Sequence, residues 1–452
     1  MNKTELFLQH IDEVAEKEIS DSLRLRFKLG LLDYIGVTFA GVKANGAKLT
    51  ALTDMAEEGQ TPAIGIDKVM SMENTVYLNG LNGHTLDFDD GTNAGIIHLG
   101  SPLFSVLLPL AKKYNVPAER FIKAVILGYE ASFTLAVTMQ PLHKRMGFHA
   151  TGVCGTLGIA IAVSEMLGYD KKQRKNALSA AAVAATGMLK VLDDGSDLKP
   201  FNVAKTALMG YTAAKMGKAG FNGPDDVFAG EIGFLQMMCG NENIEMKPML
   251  LNGTYALEKA YIKPYAACRY CHPSIGAAIN MHKQYNIVPA DVDHIDIRTY
   301  NLAVKHHDHT TIAACGAAKM SIPYSVAVAL TFGRAGMDEY TPEMIVRPDI
   351  LELTKKVSVA EDDEMSANFP AKQTAVVKIY MKDGTVYTEQ VDFPKGEPEN
   401  PTSVEETREK YEPLTIYSGR TKEEADEIFE AVMDIENQFD KLLDIITGTK
   451  NH

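Results

Sequence analysis

Through about residue 258 the apolar positions recur at helical spacing, with few alternating β-branched runs. Phe7, Ile11 and Val14 stand three to four apart among acids, the period that lines one helix face. "SDSLRLRFKLGLLDYIGVTFAG" predicts a helix capped by Ser20 or Ser22 and stopping at Gly41, and "SPLFSVLLPLAKKYN" one with Ser101 at the cap and Pro102 at the first helical position. "NALSAAAVAATGML" continues the pattern, and the density of Ala, Gly and Ser over 151–190 predicts helices packed close together.

After "YIKPYAACRYCHPSIGAAI" the period shortens. "VDHIDIRTYN" (292–301) alternates like a half-buried strand, and "TAVVKIYMKDGTVYTEQVDF" reads as two strands joined by a Lys382-Asp383-Gly384 turn. "AAKMSIPYSVAVALTFGRAG" predicts a helix between them, and from "NPTSVEETREKYEPL" onward the chain is helical and charged again. The expected fold class is mainly α: a helical domain from 1–258 and 402–452, with a smaller α+β domain over 259–401.

Composition narrows the function. The 452 residues carry 45 Lys+Arg against 59 Asp+Glu, a net charge of −14 that argues against a nucleic-acid surface. An anionic substrate would need a locally cationic pocket. The N-terminus shows no export pattern, and the most apolar run, 155–168, is short for a bilayer and contains Glu165; a cytoplasmic chain outside the membrane is expected. The five cysteines are odd in number and scattered, as suits reduced thiols. "CRYCH" (268–272) has the form of a haem-attachment motif, but without export a c-type haem is not expected. Cys268, Cys271 and His272 also fall one ligand short of a structural zinc site, and no metal is expected there.

Several clusters can carry chemistry. "LDFDDGTNAGIIHLGSP" sets Asp87, Asp89 and Asp90 before a Gly/Asn-rich loop and His98. Asp87 and Asp90 on one helix face could hold a divalent ion, "DFDD" matches the acid motif of class II terpene cyclases, and an acidic helix end with solvated carboxylates is the plainer expectation. The helix start beside His98 is also a fitting cradle for a carboxylate. His149 precedes a small-residue helix, Lys199 precedes Pro200, and Tyr324 lies in an apolar helical run. Taken singly, each reads as structural: a buried histidine, a surface lysine, a core aromatic.

Together these segments resemble the MmgE/PrpD family, which includes 2-methylcitrate dehydratase, cis-aconitate decarboxylase and an iminodisuccinate epimerase. The resemblance runs through "RFKLGLLDYIGVTFAG", "NGLNGHTLDFDD", "GFHATGVCGTLGIAIAVSEMLGYD", "LKPFNVAKTALMG", "GFNGPDDVFAGEIGF", "KPYAACRYCHPSIGA", "AAKMSIPYSVAVAL" and "FPKGEPENP", in the family's order. It implies a homodimeric lyase with a large helical domain, a smaller α+β lid domain, an active site between them and no cofactor. Asp87, His98, His149, Lys199 and Tyr324 correspond to the family's active-site residues, and Lys263 matches a family lysine. Thr92 lies in the aligned loop, which departs from the family pattern by one added residue before His98. Arg269 and His272 are further candidate substrate contacts. In this reading His98 and His149 move protons, Lys199 and Lys263 pair with carboxylates, Tyr324 donates to the reacting carbon and Asp87 orients a histidine. Dehydration of a citrate-like acid is the leading expectation, with decarboxylation, epimerisation and a catalytically idle carboxylate-binding protein as alternatives.

Overall fold

The computed structural model of the protein describes residues 1–192 and 196–447. The chain divides into two compact units, one formed by Met1–Tyr261 with Val404–His452 and the other by Ile262–Ser403. Most of the described chain is helical.

The first unit begins with α1 (Lys3–Ala15), closed by a capping box between Asn2 and Glu5. In α2 (Asp21–Asp54) the cap is Ser20, whose Oγ accepts from the Leu23 amide at 3.2 Å. The helix does not stop at Gly41. That glycine faces α3 (Met72–His84) so closely that a Cβ would meet the Asn82 carbonyl oxygen at 2.0 Å, so it is needed for packing. The break comes at Gly46, where φ is 46°. Between α2 and α3 runs a short antiparallel pair, β1 (Thr61–Pro62) with β2 (Val69–Met70). Next come α4 (Gly100–Tyr114), α5 (Ala118–Met139), α6 (Leu142–Arg145), α7 (Ala150–Met166), α8 (Lys171–Ala184), α9 (Lys199–Ala219) and α10 (Phe234–Cys239). Ser101 and Pro102 stand one and two places inside α4 rather than at its cap and first position.

The small residues of α7 act as expected. A Cβ on Gly158 would come within 1.8 Å of the Ser132 Oγ on α5, so the two helices touch backbone to side chain. Apart from Glu165, every residue of α7 is buried, which makes it a core helix. By length and composition α5 could cross a membrane, but 89% of its most apolar window is buried within the protein.

The second unit contains α11 (His272–Tyr285), β3 (Val292–Thr299), α12 (Asn301–Val304), α13 (Cys315–Lys319), α14 (Ile322–Phe332), α15 (Pro348–Lys355), β4 (Val357–Glu361), α16 (Asp363–Asn368), β5 (Ala375–Met381) and β6 (Val386–Val391). Its sheet runs β4-β3-β5-β6, parallel between β3 and β4 and antiparallel elsewhere. Strand β4 is absent from the sequence reading. The β5–β6 turn forms where expected: the Gly384 amide donates to the Met381 carbonyl at 3.0 Å with φ at 89°, a conformation glycine adopts freely. The single helix predicted over "AAKMSIPYSVAVALTFGRAG" is two, because Ser321 caps α14 by accepting from the Tyr324 amide.

Three helices, α17 (Val404–Tyr417), α18 (Lys422–Met433) and α19 (Ile435–Thr447), return to the first unit. There Phe439 stacks on Phe121 at 4.7 Å between centroids, and Phe121 meets Phe27 edge-on, joining the two ends of the chain in one core.

Candidate active site

Helix α3 ends at His84, and the acids that follow are not helical. Asp87 has φ 49°, in the left-handed region, so Asp87 and Asp90 do not share a helix face. Nor are all three carboxylates solvated: Asp89 and Asp90 are 1% and 5% exposed, and only Asp87 is open to solvent. Both corrections share one cause, which is that the chain turns inward after α3 and must supply a partner for every group it buries.

Those partners define the site. The His84 Nδ1 contacts both oxygens of Asp89, at 2.8 and 3.0 Å. With Nδ1–H donating to the carboxylate, the buried Nε2, which meets no protein hydrogen-bond partner, carries a lone pair. Asp90 accepts from the Gly100 amide at 2.9 Å and from the Tyr129 hydroxyl at 2.8 Å, so it anchors the first residue of α4. Burial, followed by the neighbouring Asp89, raises the Asp90 carboxyl to about 7.

Thr92 and Ile97 pair backbone to backbone at 2.9 Å and turn the chain back. The intervening "NAGI" forms the tip of this loop, with Ile96 in the left-handed region. His98 then lies against the acids: its Nδ1 donates to the Asp90 carbonyl at 2.7 Å, and its Nε2 stands 3.8 Å from an Asp87 oxygen. Its amide donates to the Thr151 hydroxyl on the first turn of α7, which fixes the loop to that helix. The His84 and His98 rings meet edge to face, 4.5 Å apart. Thr92 is buried, and its hydroxyl oxygen has no protein partner.

His149 is the N-cap residue of α7, 5% exposed, with a buried Nδ1 that meets no protein partner. Burial, then Lys199, then His98 and His84 lower its pKa well below the ordinary histidine range. It is therefore a neutral base at pH 7. Lys199 opens α9, and its ammonium lies 2.6 Å from Asp87 Oδ1.

Of the expected residues, Asp87, His98, His149 and Lys199 come together in the first unit. Sequence reading missed His84 and undervalued Asp89 and Asp90. The available signal was a histidine at the end of an Asn/Gly-rich helix, five residues before an acid.

Donor atoms of His84, Asp87, Asp89 and His98 all lie within 4.8 Å of one another, a spacing that suits a divalent cation with nitrogen and oxygen ligands. Among the described residues this is the one such grouping, and it includes no cysteine. It differs from an open metal site in one respect: the Lys199 ammonium already neutralises Asp87.

Tyr324, Lys263, Arg269 and His272 belong to the second unit. Tyr324 is fully buried on α14, and its hydroxyl donates to the Glu339 carbonyl at 2.8 Å. Arg269 pairs with Glu397 and donates to His272 Nδ1 at 2.8 Å, while His272 Nε2 donates to the Ala267 carbonyl at 3.1 Å. Glu397 also accepts from Gln373. Arg269 and His272 are thus part of a buried polar network, and Lys263 is buried as well. In "CRYCH", the Cys268 Sγ lies 3.4 Å from His307 Nε2 and Cys271 is buried.

Residues 5–247 match the MmgE/PrpD N-terminal domain and residues 265–435 the MmgE/PrpD C-terminal domain. Cis-aconitate decarboxylase of Mus musculus is 25% identical over 432 residues, 90% of this chain and 86% of its own. The mitochondrial 2-methylcitrate dehydratase of Yarrowia lipolytica is 27% identical over 306 residues, 61% of this chain and 54% of its own. For 2-methylcitrate dehydratase of Escherichia coli the identity is 24% over 305 residues, covering 63% and 60%.

Proposed function

Because the chain belongs to the MmgE/PrpD family, we propose that it is a lyase acting on a small di- or tricarboxylate, without a metal, through removal of a proton α to a carboxylate. The observation that carries this reading is the buried neutral His149 beside the Lys199 ammonium. One is a base that needs no prior deprotonation at neutral pH, and the other is a cation for the carboxylate on which charge develops.

In the dehydration we propose, His149 takes the α proton. Lys199 exchanges Asp87 for a substrate carboxylate and stabilises the carbanion-like species. His98, held through Nδ1 by the Asp90 carbonyl and flanked by Asp87 and Asp89, carries a proton on Nε2 and delivers it to the departing hydroxyl, which leaves as water. Asp89 orients His84 in the same way that a carboxylate fixes a catalytic imidazole.

Decarboxylation is the second reading. It is favoured by the mouse decarboxylase matching 90% of the chain where the yeast dehydratase matches 61%. Carbon dioxide would then depart and an acid would protonate the resulting carbanion at the same groups.

The test is to incubate the protein in D2O with citrate, 2-methylcitrate, cis-aconitate or iminodisuccinate and follow the products by NMR. New alkene signals identify a dehydratase and loss of carbon dioxide a decarboxylase. Deuterium entering an existing stereocentre, with nothing eliminated, identifies an epimerase. Unchanged turnover in His149→Ala would remove this active site. Thermal stabilisation by these acids without any turnover would leave a carboxylate-binding protein. The assembly proposed is a homodimer, which light scattering measures directly.

A further inference from the structure

A buried lysine far along the chain reaches the turn that carries the acids. Lys410 on α17 is 5% exposed at its side chain and forms an ion pair with Asp33 on α2, itself 2% exposed. The same ammonium donates to the Phe88 carbonyl at 2.7 Å and lies 3.9 Å above the centroid of the Phe88 ring. Phe88 separates Asp87, which is left-handed and paired with Lys199, from Asp89, which is bonded to His84.

We propose that Lys410 is a positioning residue of the candidate active site. By holding both the carbonyl and the ring of Phe88, it fixes the turn in which Asp87 faces Lys199 and His98 while Asp89 faces His84. Two features favour this over a purely structural ion pair. A buried ammonium has three N–H donors to satisfy, and beyond Asp33 this one takes both a carbonyl and an aromatic face from a single residue of the acid turn, Phe88. That residue also directly follows Asp87, a non-glycine residue in the left-handed region, and such a backbone persists only where its surroundings over-determine it. The consequence for turnover rests on the lyase reading above; the consequence for the histidines does not.

Two variants separate position from stability. Lys410→Met leaves the buried Asp33 without the Lys410 ammonium, so loss of stability alone would be ambiguous. Asp33→Asn combined with Lys410→Met removes both charges and the buried penalty, while the Phe88 carbonyl still lacks its ammonium. The expected result is a double variant that melts within a few degrees of the parent, has kcat lowered roughly 10- to 100-fold and keeps KM within about threefold. In 13C-histidine-labelled protein, the His84 and His98 ring signals should be displaced in the double variant and that of His143 should not. A double variant with parental kcat, or with His84 and His98 signals at their parental positions, overturns the proposal. If the parent turns over none of the acids but the two signals move, the lyase reading fails and the positioning role stands.

Discussion

The Lys199 ammonium, 2.6 Å from Asp87 Oδ1, occupies the carboxylate that a divalent ion would need in order to use all four donors of the cluster. Two cations cannot share that oxygen without strong repulsion. Replacing Lys199 with Met should therefore raise the affinity for Mn2+ or Zn2+ at least about tenfold in a calorimetric titration. In the parent, turnover should persist after treatment with EDTA. Loss of that turnover, restored by one metal, would make the cluster a metal centre.

His149 should behave as a base whose protonation lies below the usual histidine range. Burial and the cations around it lower its pKa, so the neutral form persists as pH falls through 6.5. The acid-side inflection of kcat/KM owed to this group is expected below pH 6.5, measured with buffers of constant ionic strength. His149→Gln should remove that inflection and lower kcat/KM by roughly 100- to 10,000-fold, the range for losing a general base. An inflection unchanged in His149→Gln would assign it elsewhere.

Local signals carried much of the fold and part of this site. Ser20 caps α2, the Lys382-Asp383-Gly384 turn joins two strands, and His149 and Lys199 stand at helix starts, all features set by a few adjacent residues. What escaped depends on distant partners. Gly41 looks like a helix stop because the neighbour requiring it, Asn82, lies on another helix. Strand β4, "VSVAE", is short and buries only Val357, and its ladder to β3 comes from residues more than fifty positions away. The burial of Asp90 depends on Tyr129 and Gly100, neither visible in "LDFDD". A charge pattern shows where carboxylates cluster but not what they will meet.

Asp90 makes stability depend on pH. Its carboxyl is raised from 3.8 unfolded to about 7 folded, chiefly by burial, so the native state holds a proton that the unfolded chain releases. Its contribution is fully present below about pH 4 and is lost as pH rises toward 7, at roughly 1.4 kcal/mol per unit. Asp90→Asn can still accept from the Gly100 amide and can donate to the Tyr129 oxygen. Relative to the parent, its stability in urea unfolding should improve steadily from pH 4 to 7 and then level off. Glu130, raised in the same direction, is common to both proteins and cancels. A difference that is flat across this window would show that Asp90 does not titrate there.

Arg269 gives a last prediction, in which the two roles open to it have opposite signatures. If its guanidinium serves the buried network, Glu397 is the partner that keeps it neutralised, with His272 and the Lys395 carbonyl taking further donors. Removing one member of a buried pair costs about 3–5 kcal/mol, because the other charge stays behind in a medium that solvates it poorly. Glu397→Gln should therefore lower the stability of the second unit by that order, and adding Arg269→Met should recover part of the loss. A substrate-binding arginine would behave differently. Freed from Glu397 it would remain available to an anion, and the single variant would show a lower KM with little change in melting. Urea unfolding and KM measured on the same two variants decide between them, and the network geometry predicts the stability signature.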